Sequence, residues 1–220
     1  AGGGGNNRIY RAELTSGPVA VKLYHAASDR SHLQRLTRET ESLRWLRACG
    51  VTAVPTVRAA SEEHGLAVFD WIPGVKLPAP LPVKEREPSG AAVRDFLGNL
   101  HAADRRRPTQ IWLAQEACLS AAELVRQIEH RRLSLQALDA ELELAKFIDK
   151  SFTPTFTQAQ RRLESAYRDI DLAKDRNISA SMQIFSPSDF GYHNALRTGA
   201  GLVFVDFEYA GWDDPVKLTA

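Results

Sequence analysis

The segment from residue 185 to residue 210 most constrains the fold, because it holds two apolar runs separated by a turn signal. The turn, Thr-Gly-Ala-Gly at residues 198–201, is typical of a β-hairpin. A hairpin centred there pairs residues whose numbers add up to about 399, which places Asn194 opposite Val205 and Asp206. The side chains of Asn194 and Asp206 are therefore predicted to emerge at the same end of the hairpin.

Three oxygen-bearing side chains flank this hairpin: Asp189 in the preceding loop, Asn194, and Asp206 at the end of the second apolar run. Mg²⁺ takes oxygen ligands and keeps several waters, so Asn194 and Asp206 suffice as its protein ligands when nucleotide phosphates complete the shell. Asp189 can accept the proton of an attacking hydroxyl and orient it towards a phosphoryl group. The alternative is that all three are turn and strand-end residues, since Asp and Asn are common there.

The chain opens with a glycine run at residues 2–5, followed by two asparagines. Glycines expose backbone N–H groups without a Cβ, so a phosphate can approach them closely. The alternative is a flexible linker.

Residues 8–14 and 19–24 are predicted to be strands around a turn signal at 15–18. Side chains alternate along a strand, so Lys22 projects from the face opposite Val19, Val21 and Leu23.

A helix is predicted over residues 31–49, with a capping-box spacing at its start and Gly50 just past its end. Glu39 lies within the apolar stripe of this helix. A buried carboxylate is costly unless it is paired, and Lys22 on the neighbouring strand is the candidate partner. Alternatively, Glu39 lies at the edge of the stripe and reaches water. The stripe consists of Leu36, Leu43 and Leu46.

The remaining chain is predicted to have two more strands and then helices. The strands span residues 55–60 and 66–72, and the helices span 91–103, 116–150 and 158–173. The proline-rich and polar stretch at 73–90 shows no periodicity and is predicted to be a semi-rigid linker. The expected domains are therefore 1–72 and a mainly helical 91–220; the resemblance given below implies that the first is a nucleotide-binding lobe and that the second carries the catalytic loop and metal-site hairpin.

Composition bounds the function classes. The chain is 44% hydrophobic and 25% charged with a net charge of +1, which is typical of a globular protein and gives no reason to expect a nucleic acid or a membrane as partner. No apolar run approaches the roughly 20 residues of a membrane helix, and no signal peptide opens the chain. Cys49 and Cys118 have no metal-binding spacing, which favours helical, buried thiols in a reducing compartment. We expect a cytoplasmic protein.

Arginine clusters at residues 105–107, 131–132 and 161–162 are candidates for contact with an anionic substrate. Solvated helix faces are the favoured interpretation. The alternative, contact with a neutral or anionic substrate, stays open.

With these residues in order, the sequence resembles the aminoglycoside phosphotransferase and choline kinase family of small-molecule kinases. The resemblance implies an α+β, protein-kinase-like two-lobe fold, with a small antiparallel-sheet lobe containing one helix and a mainly helical second lobe. It also implies that ATP and Mg²⁺ are cofactors and that the γ-phosphoryl group passes to a hydroxyl of a small polar molecule, such as an aminoglycoside, choline or a sugar. Matching motifs lie at residues 3–7, 38–39, 54–55, 72–74, 100–101, 189–194 and 205–211.

Carried over by position, the resemblance implies that Asp189 is the catalytic base and that Asn194 and Asp206 are the Mg²⁺ ligands. It implies that Lys22 holds the nucleotide phosphates and that Glu39 is its ion-pair partner. The remaining implied nucleotide-binding residues are Gly3, Gly4, Gly5 and Asn7.

The sequence departs from the family pattern at Pro187, where the family usually has a histidine. His193 is a candidate to replace one hydrogen bond of that histidine; the alternative is that His193 is an ordinary surface loop residue. The family also continues into further helices, so we expect this sequence to be a fragment of a longer protein. The alternative function is a kinase-like nucleotide-binding regulatory module without turnover.

Overall fold

The computed structural model describes residues 2–4, 7–24, 31–108, 112–137 and 142–219. The chain groups into two compact units. The first consists of Ala1–Ala117 and Ile184–Ala220, and the second of Cys118–Gln183.

A five-stranded antiparallel sheet, in the order β1-β2-β3-β5-β4, begins the first unit. The two strands predicted at residues 8–14 and 19–24 are confirmed as β2 and β3, while those predicted at 55–60 and 66–72 are shifted by up to two residues. The glycine run is partly a strand, because β1 pairs with the start of β2; Gly5 lies outside the described residues. The strands are β1 (Gly2–Gly4), β2 (Asn7–Leu14), β3 (Gly17–Tyr24), β4 (Val57–Ser61) and β5 (Leu66–Asp70).

Helix α1 (Ser31–Ala48) confirms the predicted helix and packs against the sheet. Its leucine stripe, Leu36, Leu43 and Leu46, is fully buried, and burial of each such side chain contributes about 1.5–3 kcal/mol. Gly50 ends the helix with a φ of +89°, a left-handed conformation that glycine adopts without steric penalty.

Residues 73–90 are more regular than expected, which corrects the prediction of a linker without periodicity. The short strand β6 (Val75–Lys76) lies within them, and helix α2 (Val83–Ala103) begins well before residue 91. Pro88 lies inside this helix, where it removes one intrahelical N–H donor and its ring crowds the carbonyl four residues earlier. The good helix formers at residues 84–87 explain why the helix persists.

The hairpin around residues 198–201 is confirmed, with β8 (Ala195–Thr198) and β9 (Gly201–Phe204) paired in the predicted register. Ala195 lies opposite Phe204, and Asn194 accepts a backbone hydrogen bond from Val205 at 2.8 Å. Strand β6 joins β8 to complete a three-stranded sheet. A two-stranded sheet of β7 (Ile184–Ser186) and β10 (Gly211–Asp213) and the short helix α6 (Pro215–Thr219) complete the unit.

Aromatic side chains anchor this hairpin and the loop before it on α2. Phe96 of α2 stacks on Phe204 at 4.2 Å between ring centroids and on Phe190 at 5.7 Å. Phe190 directly follows Asp189 and Phe204 precedes Asp206 by two residues, so the aromatic stack fixes the backbone on both sides of the candidate site.

The second unit is helical, with α3 (Ala121–Ala137), α4 (Leu142–Phe147), a π-helical turn (Ile148–Phe152) and α5 (Thr153–Asp169). The prediction of one helix over 116–150 is wrong at its start, because Ser120 accepts a hydrogen bond from the Glu123 N–H and so caps α3. Cys118 therefore precedes the helix, and it is buried as expected, whereas Cys49, also expected to be buried, is only partly buried. Among the described residues, no helix has the length and apolar character required to cross a bilayer.

Candidate active site

The candidate site is organised around the ammonium group of Lys22, which projects from the middle of β3. Lys22 is only 4% exposed. Its Nζ lies 2.6 Å from Oε2 of Glu39 and 2.7 Å from Oδ1 of Asp206. A third carboxylate oxygen, Oε2 of Glu208, lies 3.5 Å away. The predicted contact between Lys22 and Glu39 is therefore present, and strand alternation explains why the lysine points towards α1.

Glu39 is buried on the inner face of α1, and each of its carboxylate oxygens has a partner. Oε2 accepts hydrogen bonds from Lys22 and from the Tyr24 hydroxyl, the latter at 2.5 Å. Oε1 accepts a bond from the Phe207 backbone N–H at 3.3 Å. These bonds offset the desolvation of the carboxylate and fix its position relative to both β3 and the turn after β9.

Asp206 and Glu208 lie on the turn that follows β9. Asp206 adopts a φ of +70°, in the left-handed region that few non-glycine residues visit. This conformation turns the chain so that carboxylate oxygens of Asp206, Glu208 and Glu39 lie within 4.8 Å of one another. Such close carboxylates repel each other unless cations lie between them.

The charges of this cluster perturb the proton affinities of its members. Burial by itself would lower the pKa of Lys22, but the carboxylates of Glu39, Asp206 and Glu208 outweigh it, so the pKa is raised and the amine stays protonated. Burial raises the pKa of Tyr24, and the neighbouring Glu39 raises it further. The phenol therefore remains a hydrogen-bond donor.

Asn7, at the start of β2, reaches the same cluster. Its Nδ2 donates a hydrogen bond of 2.5 Å to Oε2 of Glu208. Arg35 of α1 places Nη1 3.5 Å from both the Asn7 Oδ1 and the Glu208 Oε2. The side chain of Asn7, predicted to bind nucleotide, is thus 7% exposed and bonded within the protein.

The second part of the site is the loop that carries Asp189. Oδ1 of Asp189 lies 3.1 Å from Nε2 of His193. Asn194 donates from Nδ2 to the backbone oxygen of Asp189 at 3.0 Å and to its Oδ2 at 3.3 Å. Because the amide nitrogen of Asn194 is held by Asp189, its oxygen is the atom that can act as a ligand. Asp189 and His193 have side chains 58% and 61% exposed.

Gly191 lets the ring of His193 reach Asp189. A Cβ at residue 191 would lie 2.7 Å from Nδ1 of His193, which is closer than van der Waals contact allows. The loop entry at Pro187 is held by short local bonds, including one from the Ser188 N–H to Oγ of Ser186 at 3.0 Å. A histidine from within the loop thus contacts Asp189 in a chain that has proline at residue 187.

The residues present fit a hard divalent cation. Asp206 offers a partly exposed carboxylate and Asn194 an amide oxygen, both of the ligand type that Mg²⁺ prefers. They lie at the same end of the hairpin, because Asn194 pairs with Val205 next to Asp206. The three carboxylates outnumber the two cationic side chains beside them, Lys22 and Arg35, which favours the arrival of further positive charge.

Sequence reasoning missed Glu208, Tyr24 and Arg35 as members of the site. Tyr24 could have been found, because it lies two residues from Lys22 and shares its face of β3. Glu208 follows Asp206 by two residues, but the chain leaves the extended conformation there, so strand alternation did not apply.

Comparisons with known proteins agree with this geometry. The model of the phosphotransferase enzyme family matches residues 1–217. A search of curated protein sequences gives no match.

Several solved structures share the fold. A choline/ethanolamine kinase family protein from Mesorhizobium loti is 20% identical with a TM-score of 0.60, covering 97% of this chain and 59% of its own. ADP-bound aminoglycoside phosphotransferase APH(2'')-Ib is 18% identical with a TM-score of 0.60, covering 99% of this chain and 67% of its own. The macrolide 2'-phosphotransferase MphH from Brachybacterium faecium is 18% identical with a TM-score of 0.58, and the match covers 97% of this chain and 66% of that protein.

These likenesses confirm the expected kinase-like α+β fold, and the chain spans between 59% and 67% of the length of these three proteins. The family match covers every residue named in the site, from the glycine run to the turn after β9. The chain therefore belongs to the phosphotransferase enzyme family.

Proposed function

We propose that the protein transfers the γ-phosphoryl group of ATP, in the presence of Mg²⁺, to a hydroxyl of a small polar molecule. The observation that carries this proposal is the buried ammonium of Lys22, held 2.6 Å from Glu39 and 2.7 Å from Asp206. An isolated lysine has no reason to be buried. A lysine that is fixed between α1 and the turn carrying the partly exposed Asp206 is suited to phosphate binding.

Lys22 would hold nucleotide phosphates while Glu39 fixes the direction of its side chain. Glu39 is suited to this role because its three hydrogen bonds leave it little freedom. The backbone of the glycine strand, with Gly3 and Gly4, lies beside Arg8 and Asn7 of β2 and leaves no Cβ in the path of a phosphate. Gly5 is assigned to the same segment by sequence alone.

Asp189 would accept the proton of the acceptor hydroxyl as its oxygen attacks the γ-phosphorus and the bond to the leaving phosphate oxygen breaks. Its exposure supports this assignment, since an acceptor must reach its carboxylate from solvent. His193 and Asn194 hold the carboxylate from two sides, which orients it before the acceptor arrives.

Asn194 and Asp206 would hold Mg²⁺, which when bound neutralises charge on the transferring phosphoryl group. Oδ1 of Asp206 accepts a hydrogen bond from Lys22. Binding of Mg²⁺ would therefore require this carboxylate either to leave Lys22 or to contact both cations. The left-handed turn at Asp206 fixes the direction of the carboxylate in either case.

The experiment is incubation of the purified protein with ATP and Mg²⁺ against panels of aminoglycosides, amino alcohols, macrolides and sugars. ADP release and the mass of the acceptor are measured together, so that transfer is distinguished from hydrolysis. We expect a phosphorylated product from at least one panel, formed about 10²–10⁴-fold more slowly when Asp189 is replaced by asparagine.

Nucleotide binding without turnover on any panel would favour the second candidate, a kinase-like regulatory module. The observation that favours this candidate is the loop entry at Pro187, which is held by local bonds. The panel that yields a product also shows whether the acceptor is cationic or neutral. Arg132, from the predicted cluster at 131–132, forms an ion pair with Glu129, which weakens the case for an anionic acceptor based on that cluster.

A further inference from the structure

We propose that Asn7 and Glu208 are positioning residues that couple the glycine-rich strand to the turn carrying Asp206. The proposal rests on the function proposed above and assigns the two residues a role in nucleotide affinity without contact with the nucleotide.

The contact joins two distant parts of the sequence. Asn7 and Glu208 are 201 residues apart, and the 2.5 Å bond between Nδ2 and Oε2 is buried. A hydrogen bond to a carboxylate is stronger than one between neutral groups, and burial strengthens it further. The bond therefore restrains the relative position of the segments at its two ends.

Each end of the bond lies next to a part of the candidate site. Asn7 begins β2 and pairs with Gly4 of β1, so fixing Asn7 fixes the end of the glycine strand. Glu208 lies two residues after Asp206, on the same turn. The phosphates of a nucleotide held by the glycine strand and by a cation at Asp206 would span the segments that this bond connects.

The surroundings of Asn7 favour positioning over direct ligand contact. Its nitrogen donates to Glu208, and its oxygen lies 3.5 Å from Nη1 of Arg35. The same guanidinium nitrogen lies 3.5 Å from Glu208, as does Nζ of Lys22. Both polar atoms of the Asn7 side-chain amide thus face protein groups. Asn7 therefore affects the site by holding the backbone of the glycine strand in place.

The test exchanges the amide and the carboxylate between the two positions. Asn7→Asp places two carboxylates in contact, and Glu208→Gln removes the charge from the bond. The double variant combines them, so that a glutamine donates to an aspartate with no change in side-chain length. Two readouts are measured, namely the dissociation constant of ADP with Mg²⁺ and deuterium exchange of the backbone amides of residues 2–14.

We expect each single variant to bind ADP about tenfold more weakly, the loss typical of one charge-assisted hydrogen bond, and to exchange faster at residues 2–14. The double variant should bind more tightly and exchange more slowly than either single variant. In turnover assays the single variants should raise the KM for ATP with little change in kcat, because the loop that carries Asp189 is unchanged.

The matched controls are Asn99→Asp and Glu87→Gln, the same chemical changes at exposed positions of α2. They should change neither readout. Additive losses in the double variant, or faster exchange spread equally over α2, would overturn the proposal. If the parent protein binds no nucleotide, the proposed function fails, and the exchange measurements still decide whether the pair restrains the glycine strand.

Discussion

The two halves of the candidate site use the same kinds of side chain in opposite environments. The side chains of Lys22 and Glu39 are 5% and 3% exposed and lie 2.6 Å apart, whereas those of His193 and Asp189 are 61% and 58% exposed and lie 3.1 Å apart. In the first pair, burial makes every missing partner costly. In the second, water can replace a lost hydrogen bond.

This difference in exposure assigns stability mainly to the buried half and turnover mainly to the exposed half. The buried half holds its geometry in the absence of ligand, because its charges can be satisfied only in that arrangement. The exposed half can exchange its bonds for those of an incoming acceptor. Substitutions in the buried half should therefore affect folding and nucleotide affinity together, while those in the exposed half should affect turnover with little effect on stability.

The strongest test compares Asp189→Asn with Asp206→Asn. Asp189→Asn should lower kcat by about 10²–10⁴-fold, the usual contribution of a general base and of positioning, with little change in the affinity for ATP and Mg²⁺. Asp206→Asn should raise the Mg²⁺ concentration needed for activity, since a neutral amide is a weaker ligand for a hard dication. The measurement is kcat as a function of Mg²⁺ for both variants. A raised Mg²⁺ requirement for Asp189→Asn alone would reverse the two assignments.

Replacement of Lys22 by methionine tests the buried half. Loss of the ammonium leaves three carboxylates close together, and removal of one partner from a buried ion pair costs about 3–5 kcal/mol. Urea unfolding should show this loss, and Lys84→Met, at an exposed position of α2, should not. The double variant Lys22→Met/Glu39→Gln should lose less than the sum of its single variants. Strict additivity would contradict a direct interaction between the two residues.

Asp104 offers a buried carboxylate with a different set of neighbours. Burial raises its pKa from 3.8 to about 6, although the Phe185 N–H, His101 and Arg107 oppose the shift. Because the folded-state pKa is the higher one, the stability linked to Asp104 is fully present below about pH 4 and is lost as the pH rises through 6.

Asp104→Asn should therefore stabilise the protein at pH 7 by about 1–2 kcal/mol, allowing for partial solvation, because asparagine keeps an oxygen for the Phe185 N–H. The measurement is the Tm between pH 4 and pH 7, with Asp95→Asn on the exposed side of α2 as control. An unchanged pH dependence would show that Asp104 does not titrate in this range.

The smallest effect is expected from His193→Ala in the exposed half. Loss of one solvent-exposed hydrogen bond to Asp189 should lower kcat about 2–10-fold and leave the Tm unchanged. His130→Ala, at an exposed position of α3, is the control. A loss as large as that of Asp189→Asn would mean that His193 itself takes part in the proton transfer.

The sequence predicted those features that depend on local periodicity. Alternation along β3 and the stripe of α1 predicted the contact between Lys22 and Glu39, and the glycine turn predicted the register of the hairpin that brings Asn194 next to Val205. These predictions needed only the geometry of a strand, a helix and a turn.

Features that depend on distant contacts or unusual backbone were not predictable in this way. Glu208 joins the cluster because Asp206 adopts a left-handed conformation, which no periodic pattern indicates. The start of α2 was missed because Pro88 and the polar residues before it are typical of a linker. The first turn of the helix is stabilised by an ion pair between Glu85 and Arg197 of β8, a distant contact that local sequence does not indicate. The division into lobes at residues 72 and 91 remains a prediction.

The sequence separation of the buried contacts has a consequence for synthesis on the ribosome. Lys22 and Glu39 are 17 residues apart and can meet early, but Asp206 and Glu208 emerge only after about 170 further residues, roughly 10–30 s later at the usual translation rate. During this interval the glycine strand and β3 lack the carboxylates that complete their charge balance. The charge balance of the buried cluster is therefore completed only when the turn after β9 has been synthesised.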